Sequence, residues 1–359
     1  MTKSMKLLVF MVSLTFAASA VQAECKKVLR ADNLDFGVKT AMQEYDCQVG
    51  QAAADPIAHK IQQYENKQLD SKTITQPAAA ITQHAGSVTQ HRSDPELRSS
   101  MALIVDESTG EVIYSKNAES RTSIASITKL MTAMITLDAL IPLNEKLTIS
   151  NDDIDRVKGT RSRLNVGAGL TRRELLHLAL MSSENRAAAA LARTYPGGTH
   201  AFVAAMNRKA ARLGMYNTHF ADSSGLRSDN QSTAEDLARM VRAAHTYPII
   251  HELTTAASYD LQMPIYKRAR ALAHRKLVLR NIAFRNTNKL VNEKDWQIGI
   301  SKTGFISEAG HCLVMQATIA NQKLIIVLLD SNGKYTRIDD AVRVKRWLES
   351  NSRPAKRIS

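Results

Sequence analysis

Between Met101 and about Ser350 the strand-like runs lie at the two ends and the helix-like runs lie in between, and this ordering is what most restricts the fold. Ala102 to Asp106 and Glu111 to Ser115 flank the turn signature Ser108-Thr109-Gly110, which predicts a hairpin. Strand patterns return at Leu313 to Ile319 and Leu324 to Leu329. In the middle, Thr171-Arg172-Arg173-Glu174 reads as a capping box opening a helix through Leu175, Leu176, Leu178, Leu180 and Met181. Ser232-Thr233-Ala234-Glu235 opens another through Leu237 and Met240, and a last helix covers Asp339 to Leu348. A sheet assembled from both ends with a helical insertion is an α/β or α+β architecture of two lobes, and the cleft between lobes is the natural site.

The stretch Thr122 to Thr132 carries the first chemistry. Ser126 and Lys129 stand at i and i+3, so on a helix the hydroxyl and the amine share one face. Ile127, Leu130, Met131, Met134, Ile135 and Leu137 form an apolar stripe on the same segment, which places the lysine next to buried surface. Ser-x-x-Lys alone is weak, since a lysine snorkelling at a helix start has the same spacing. Ser331-Asn332-Gly333-Lys334 repeats it, but the Asn-Gly pair after a strand reads as a turn. Two other short runs join it: Ser183-Glu184-Asn185, between two helical patterns, and Lys302-Thr303-Gly304, after the strand-like Trp296 to Ser301. Taken singly, the former reads as a helix N-cap and the latter as a polar strand end with a turn glycine.

Residues 1–23 read as a secretory leader: Lys3 and Lys6, the apolar run Leu7 to Phe16, then small residues up to Val21-Gln22-Ala23. No later stretch reaches the roughly 20 apolar residues a spanning helix needs. The expected location is the periplasm, and Gln22-Ala23-Glu24 before Cys25 is not a lipobox. Cys25 and Cys47 are close enough in sequence to close a disulfide loop in an oxidising compartment, whereas Cys312 sits in a strand pattern as a small buried apolar residue. Residues 24–98, rich in Gln, Ala, Thr and Ser from Gln48 onward, read as a low-complexity, disordered tether; 99–350 form the folded domain and 351–359 a basic tail. Neither cysteine nor histidine spacing points to a metal site, and no cofactor is implied.

The three runs, in the order Ser126/Lys129, Ser183/Asn185, Lys302/Thr303/Gly304, match the penicillin-binding protein and serine β-lactamase signature. The chain resembles the D-alanyl-D-alanine carboxypeptidase and endopeptidase family of low-molecular-mass penicillin-binding proteins over about Met101 to Leu348, with Leu180 to Ala187 and Ser224-Gly225-Leu226 as supporting context. A literal Ser228-Asp229-Asn230 is the competing candidate for the middle motif. The resemblance implies a serine β-lactamase/DD-peptidase-like fold, a mostly antiparallel sheet flanked by helices with a helical lobe. Its short stretch after Lys302 is similar to the DD-endopeptidase branch rather than to carboxypeptidases with an added β-domain.

By that resemblance, Ser126 is the nucleophile attacking a D-alanyl carbonyl, Lys129 its base, and Ser183 the relay to the leaving amine. Asn185 binds the substrate backbone, Lys302 and Thr303 hold its carboxylate, and the N–H groups of Ser126 and Phe305, next to Gly304, form an oxyanion hole. For Lys129 to act as a base its pKa must be lowered, by burial and by the Lys302 charge. A class A β-lactamase would need a Glu-x-x-Leu-Asn run, which is absent between Ser183 and Lys302. A carboxypeptidase is the alternative enzyme, and a non-catalytic wall-binding module would be expected to have lost Ser126 or Lys129. The expected partners are peptidoglycan and, as inhibitors, β-lactams. The formal charge of +14, with Lys267-Arg268-Ala269-Arg270, His274-Arg275-Lys276 and the tail, fits attraction to an anionic wall polymer or membrane surface. For a secreted chain, nucleic acid is excluded as a partner.

Overall fold

The computed structural model describes residues 25–28, 44–47, 94–268 and 275–351, with side chains at 94–263 and 279–351. The leader and the basic tail from residue 352 lie outside the described residues. The chain divides into two units, residues 1–74 and 75–359. In the first, β1 (Cys25–Val28) pairs antiparallel with β2 (Glu44–Cys47), and Cys25 stands opposite Cys47 in the register. Most of the segment read as a tether lies outside the described residues.

The second unit begins with the predicted hairpin. β3 (Ser99–Asp106) and β4 (Val112–Lys116) pair antiparallel, and the Asp106 carboxylate ties the turn by accepting from the Ser108 and Thr109 N–H groups. The short β5 (Thr122–Ser123) leads through a 3-10 turn, Ala125–Thr128, into α1 (Lys129–Asp138). β6 (Lys146–Thr148) and β7 (Gly169–Thr171) form a small ribbon before α2 (Arg172–Met181). The capping box is present: the Glu174 N–H donates to Thr171 Oγ1 and the Thr171 N–H to Glu174 Oε2. Satisfying these otherwise orphaned donors fixes where the helix starts. α3 (Asn185–Arg193), α4 (Gly198–Arg212), β8 (Gln231–Ser232), α5 (Ala234–His245) and α6 (Pro248–Thr255) complete the helical insertion, with Thr233 capping α5.

A long antiparallel ribbon follows, β9 (Ser258–Arg268) with β10 (Arg275–Arg285), in which Lys267 stands opposite Lys276 and Arg268 opposite Arg275, while Arg270 and His274 of the basic runs lie outside the described residues. β11 (Gln297–Ile306), β12 (Gly310–Ile319) and β13 (Gln322–Ser331) then join the first hairpin in one antiparallel sheet of order β11-β12-β13-β3-β4. α7 (Thr336–Asn351) closes the unit. Among the described residues no helix is long and apolar enough to cross a membrane.

The two-residue period of the central strands divides the core. Leu103, Val105, Val314, Ile325 and Val327 face the helical insertion. Ala102, Ile104, Leu313, Met315, Ile326 and Leu328 face α7, whose Ala341, Val344, Trp347 and Leu348 cover them. Cys312 is buried on the helical side as a free thiol, as its strand pattern implied, and burial pushes its pKa up to about 11. Ile127, Leu130, Met131 and Met134 are all fully buried, so α1 runs through the middle of the larger core. Each such side chain contributes about 1.5 to 3 kcal/mol by burial, enough together to offset holding the neighbouring Lys129 out of water.

Candidate active site

Ser126 lies in the 3-10 turn, half-buried and therefore reachable, and Lys129 is the first residue of α1. The turn is forced into an unusual shape. Ala125 has φ +46, a left-handed conformation that a non-glycine residue keeps only when its surroundings impose it. Two glycines do so. A Cβ on Gly225, itself at φ +80, would come to 1.8 Å from Ala125 O, and one on Gly304 to 2.9 Å from Ile124 O and 3.2 Å from the Ser126 nitrogen. Gly304 thus serves a close approach of β11 to the serine, and not the turn that its sequence context alone suggests.

Lys129 has no solvent exposure. Its Nζ donates to Ser126 Oγ at 2.7 Å, Asn185 Oδ1 at 2.8 Å and the Ser224 carbonyl at 2.5 Å. Three neutral acceptors saturate the amine without a carboxylate partner. Burial therefore dominates and brings its pKa down from 10.5 to about 7, against the opposing charges of Asp222, Glu184 and Asp155. Burial is the dominant cause for Lys129, and the repulsion between the two amines is expressed on Lys302, whose pKa is held well below its usual value by burial first, then by Lys129 and Arg337.

Ser183 and Asn185 bracket the start of α3. Glu184 occupies the N-cap position with no side-chain cap bond, so neither Ser182 nor Ser183 is used there. Ser183 takes φ +63, and its Oγ accepts from Lys302 Nζ at 3.0 Å. Glu184 turns away, accepting from Ser162 Oγ and Arg163 Nε, as a middle residue outside the cleft should. Asn185 Nδ2 donates to Thr160 Oγ1 at 2.9 Å. Lys302, Thr303 and Gly304 lie inside β11, the last strand on one side of the sheet, where all three are buried. Lys302 Nζ also donates to the Thr303 carbonyl, and Thr303 Oγ1 donates to Thr287 Oγ1. Phe305 is 56% exposed, its ring stacked on His311 with centroids 4.2 Å apart.

The literal Ser228-Asp229-Asn230 does other work. Asn230 is fully buried and ties its loop together, accepting from the Ala221 and Asp222 N–H groups and donating to Thr128 Oγ1. The Ser228 carbonyl accepts from Ser123 Oγ. Neither side chain reaches Lys129. Ser331 lies at the end of β13, and Gly333 at φ +100 turns the chain before Lys334.

Five contributors escape sequence reasoning. Ser224 acts through its backbone carbonyl, and Asp222 fixes that loop by accepting from the N–H groups of Ser224, Gly225 and Arg227. Thr160 holds Asn185 while Asp155 holds Thr160. Arg337 is close enough to Lys302 to lower its pKa, and its buried Nε has no partner, a cationic donor left open beside the cleft. The first four are loop contacts with no residue-type signature. Arg337 lies in a helix whose pattern reveals only its buried stripe.

A half-exposed hydroxyl against a neutral-range amine, with a second buried amine on β11, is chemistry for forming and resolving an acyl-serine. Fold and site together define a serine-type D-Ala-D-Ala peptidase of the penicillin-binding class. The chain belongs to the D-alanyl-D-alanine carboxypeptidase family, peptidase family S11, which matches residues 88–333. It is 48% identical over 255 residues to a D-alanyl-D-alanine endopeptidase of Pseudomonas aeruginosa, covering 71% of this chain and 78% of that one. It is 45% identical to the Escherichia coli protein of the same description, covering 72% and 79%. Among solved structures, the Streptomyces K15 DD-transpeptidase superposes with a TM-score of 0.64 at 28% identity, over 72% of this chain and 99% of that one. Penicillin-binding protein D2 of Listeria monocytogenes, in its ampicillin-bound form, gives 0.57 at 26% identity over 71% and 99%.

Proposed function

We propose that the protein is a periplasmic D-alanyl-D-alanine endopeptidase that opens peptidoglycan cross-links through an acyl-enzyme on Ser126, and that β-lactams inhibit it by acylating the same hydroxyl. The observation that carries the reading is the 2.7 Å contact between Lys129 Nζ and Ser126 Oγ, with the amine brought to a pKa of about 7. A base poised near the working pH removes a serine proton with the least compromise between protonation state and driving force.

In this reading Ser126 Oγ attacks the D-alanyl carbonyl as Lys129 takes its proton. The oxyanion is held by the N–H groups of Ser126 and Phe305, the close approach of Gly304 to the Ser126 nitrogen making the pair possible. Ser183, bonded to Lys302, passes the proton to the leaving amine. Asn185 aligns the substrate amide. Lys302 and Thr303 hold the carboxylate beside the scissile bond, and Arg337 supports them with its open donor. An incoming carboxylate supplies the counter-charge that Lys302 lacks.

Cross-link cleavage is preferred to trimming of terminal D-alanine because the relatives described as endopeptidases are 35–48% identical, whereas a carboxypeptidase such as that of Streptomyces K15 is 30% identical. We assign residues 1–23 to a leader and 99–350 to the catalytic domain, with the basic end of the β9–β10 ribbon and the tail drawing the enzyme to anionic wall or membrane surfaces. The test is kcat/KM on a purified cross-linked muropeptide dimer against a monomeric pentapeptide. The dimer is the expected better substrate, and preference for the pentapeptide would make the enzyme a carboxypeptidase with the serine mechanism intact.

A further inference from the structure

The ring of Tyr335, the residue just before α7, is approached by two lysines from separate parts of the chain. Lys289 Nζ stands 5.2 Å from the ring centroid and Lys334 Nζ 5.5 Å. The ring is 52% exposed, and both lysines are exposed as well. Such a contact is worth about 0.5 to 1 kcal/mol in the open, too little to explain why two like charges share one ring. Among the described residues neither ammonium is in an ion pair. Two cations gathered on an aromatic surface with no carboxylate of their own are equipped to receive an anion from outside.

The cluster is tied to the groups assigned to the substrate carboxylate. Lys289 follows Thr287, whose Oγ1 accepts from Thr303 Oγ1 at 2.7 Å, and Asn288, whose buried Nδ2 donates to Ser301 Oγ at 2.8 Å beside Lys302. The Lys334 carbonyl accepts from Arg337 Nη1 at 2.6 Å, and Arg337 is near enough to Lys302 to add to the effect of burial and Lys129 on its pKa. Arg337 and Lys334 also act on His311, adding to the burial that lowers its pKa, and the His311 ring stacks on Phe305. The Tyr335 carbonyl accepts from the Ile338 and Asp339 N–H groups, which fixes the residue at the start of α7. A cationic surface therefore continues outward from the buried Lys302 to the exposed Lys289 and Lys334, on backbone that the site itself holds in place.

Trimming a terminal D-alanine releases a residue that ends at the carboxylate held by Lys302 and Thr303. Cutting a cross-link releases a residue whose side chain continues into a second stem peptide, an anion because its N-terminus is amide-linked and its C-terminal carboxylate is free. We propose that Lys289, Lys334 and Tyr335 receive this released strand, the two lysines taking its C-terminal carboxylate and the ring lying against its backbone, and that they thereby favour cross-links over pentapeptides. The proposal rests on the endopeptidase reading. A carboxylate placed between the two ammonium groups also relieves their mutual repulsion, so the strand gains more than from a single exposed lysine.

The experiment measures kcat/KM for the full-length wild type and the double variant Lys289→Met/Lys334→Met on three substrates. They are a cross-linked muropeptide dimer, the same dimer amidated at the C-terminal carboxylate of the released strand, and a monomeric pentapeptide. Wild type is expected to favour the free dimer over the amidated one by about tenfold, the effect of one charge-assisted contact. The double variant should lose that discrimination through a raised KM on the free dimer, with the pentapeptide and the rate of β-lactam acylation unchanged. Tyr335→Ala should also lower kcat/KM on the dimers and spare the pentapeptide. Retained discrimination in the double variant, or a fall as large on the pentapeptide as on the dimer, overturns the assignment. A wild type that prefers the pentapeptide brings down the endopeptidase reading and the lysine pair with it, whereas a wild type that prefers the dimer with no effect of amidation brings down the lysine pair alone.

Discussion

The two faces of the central sheet bury charge in opposite ways. On the α7 side, Asp340 is fully buried and accepts from the Arg98 and Ser99 N–H groups, from Ser99 Oγ and from Arg343 Nη1. Ser99 Oγ is linked in turn to Ser331 Oγ. On the cleft side, Lys129 and Lys302 are as deeply buried, but among the described residues neither forms an ion pair, and every acceptor they have is neutral. A buried ion that is matched by charge and donors stays ionised and acts as an anchor. One left without a counter-ion relieves the penalty of several kcal/mol by giving up its proton. The contrast separates a structural ion from a reactive base on one sheet.

The sharpest way to break this contrast is Ser126→Ala, which removes the hydroxyl that accepts from Lys129 Nζ and that the proposed mechanism uses as the nucleophile. No covalent adduct with a labelled β-lactam should be detectable by intact mass, and an undiminished adduct would end the assignment of Ser126. Next in size is the proton relay. Ser183→Ala should slow acylation by about 10²- to 10⁴-fold. Ser228→Ala should be close to wild type, because its hydroxyl takes part in no step. The reverse order in stopped-flow acylation would return the middle motif to Ser228.

What the sequence made legible was whatever has a local period or a local motif. The capping box at Thr171 and Glu174, the α1 stripe, the alternation in β12 and β13, and the three motifs about Ser126, Ser183 and Lys302 all depend on residue types at short spacings. The ribbon β9–β10 was missed although Tyr259, Leu261, Met263 and Ile265 alternate along β9, because Pro264 interrupts that run and Leu277-Val278-Leu279 breaks the period in β10. Gly304 was readable as a turn glycine only, since its true constraint is a contact with Ala125 and the Ser126 nitrogen from a strand far along the chain. Arg337 and the Ser224 carbonyl have the same cause: they enter the site through tertiary packing and a backbone acceptor, and neither leaves a pattern in the chain.

Gly304→Ala therefore tests geometry apart from chemistry. The new Cβ would be within 2.9 Å of Ile124 O, and relieving it moves β11 from the serine. A displacement of that order is expected to slow acylation about 10²-fold while the protein stays folded. A near-wild-type rate would mean that the approach of β11 is not limiting. On the other face, Asp340→Ala should leave the acylation rate constant of the folded protein unchanged but reduce stability by about 2 to 3 kcal/mol in denaturant titration, because it strands buried donors that now face an anion. A lost rate with normal stability would show that the two faces are coupled and that the contrast drawn above is wrong.

The smallest expected effect concerns which force sets the Lys129 proton affinity. Acylation needs the neutral amine, so with a pKa of about 7 the rate constant should rise with pH through that region and level off above it. If burial sets the value, Lys302→Met leaves the midpoint near 7, although substrates with a carboxylate bind less tightly. If instead the Lys302 cation sets it, removing that charge allows Lys129 to hold its proton longer, and the midpoint moves upward. Measuring the acylation rate against pH for wild type and Lys302→Met with a neutral ester substrate, which does not use the carboxylate site, separates the two. The structure favours an unmoved midpoint, because the amine is fully enclosed and the charges acting on it come from Asp222, Glu184 and Asp155, all of which raise its pKa. An upward shift of a full unit would transfer the tuning from desolvation to the neighbouring lysine, and the cleft would then resemble the α7 face in being governed by pairwise charge.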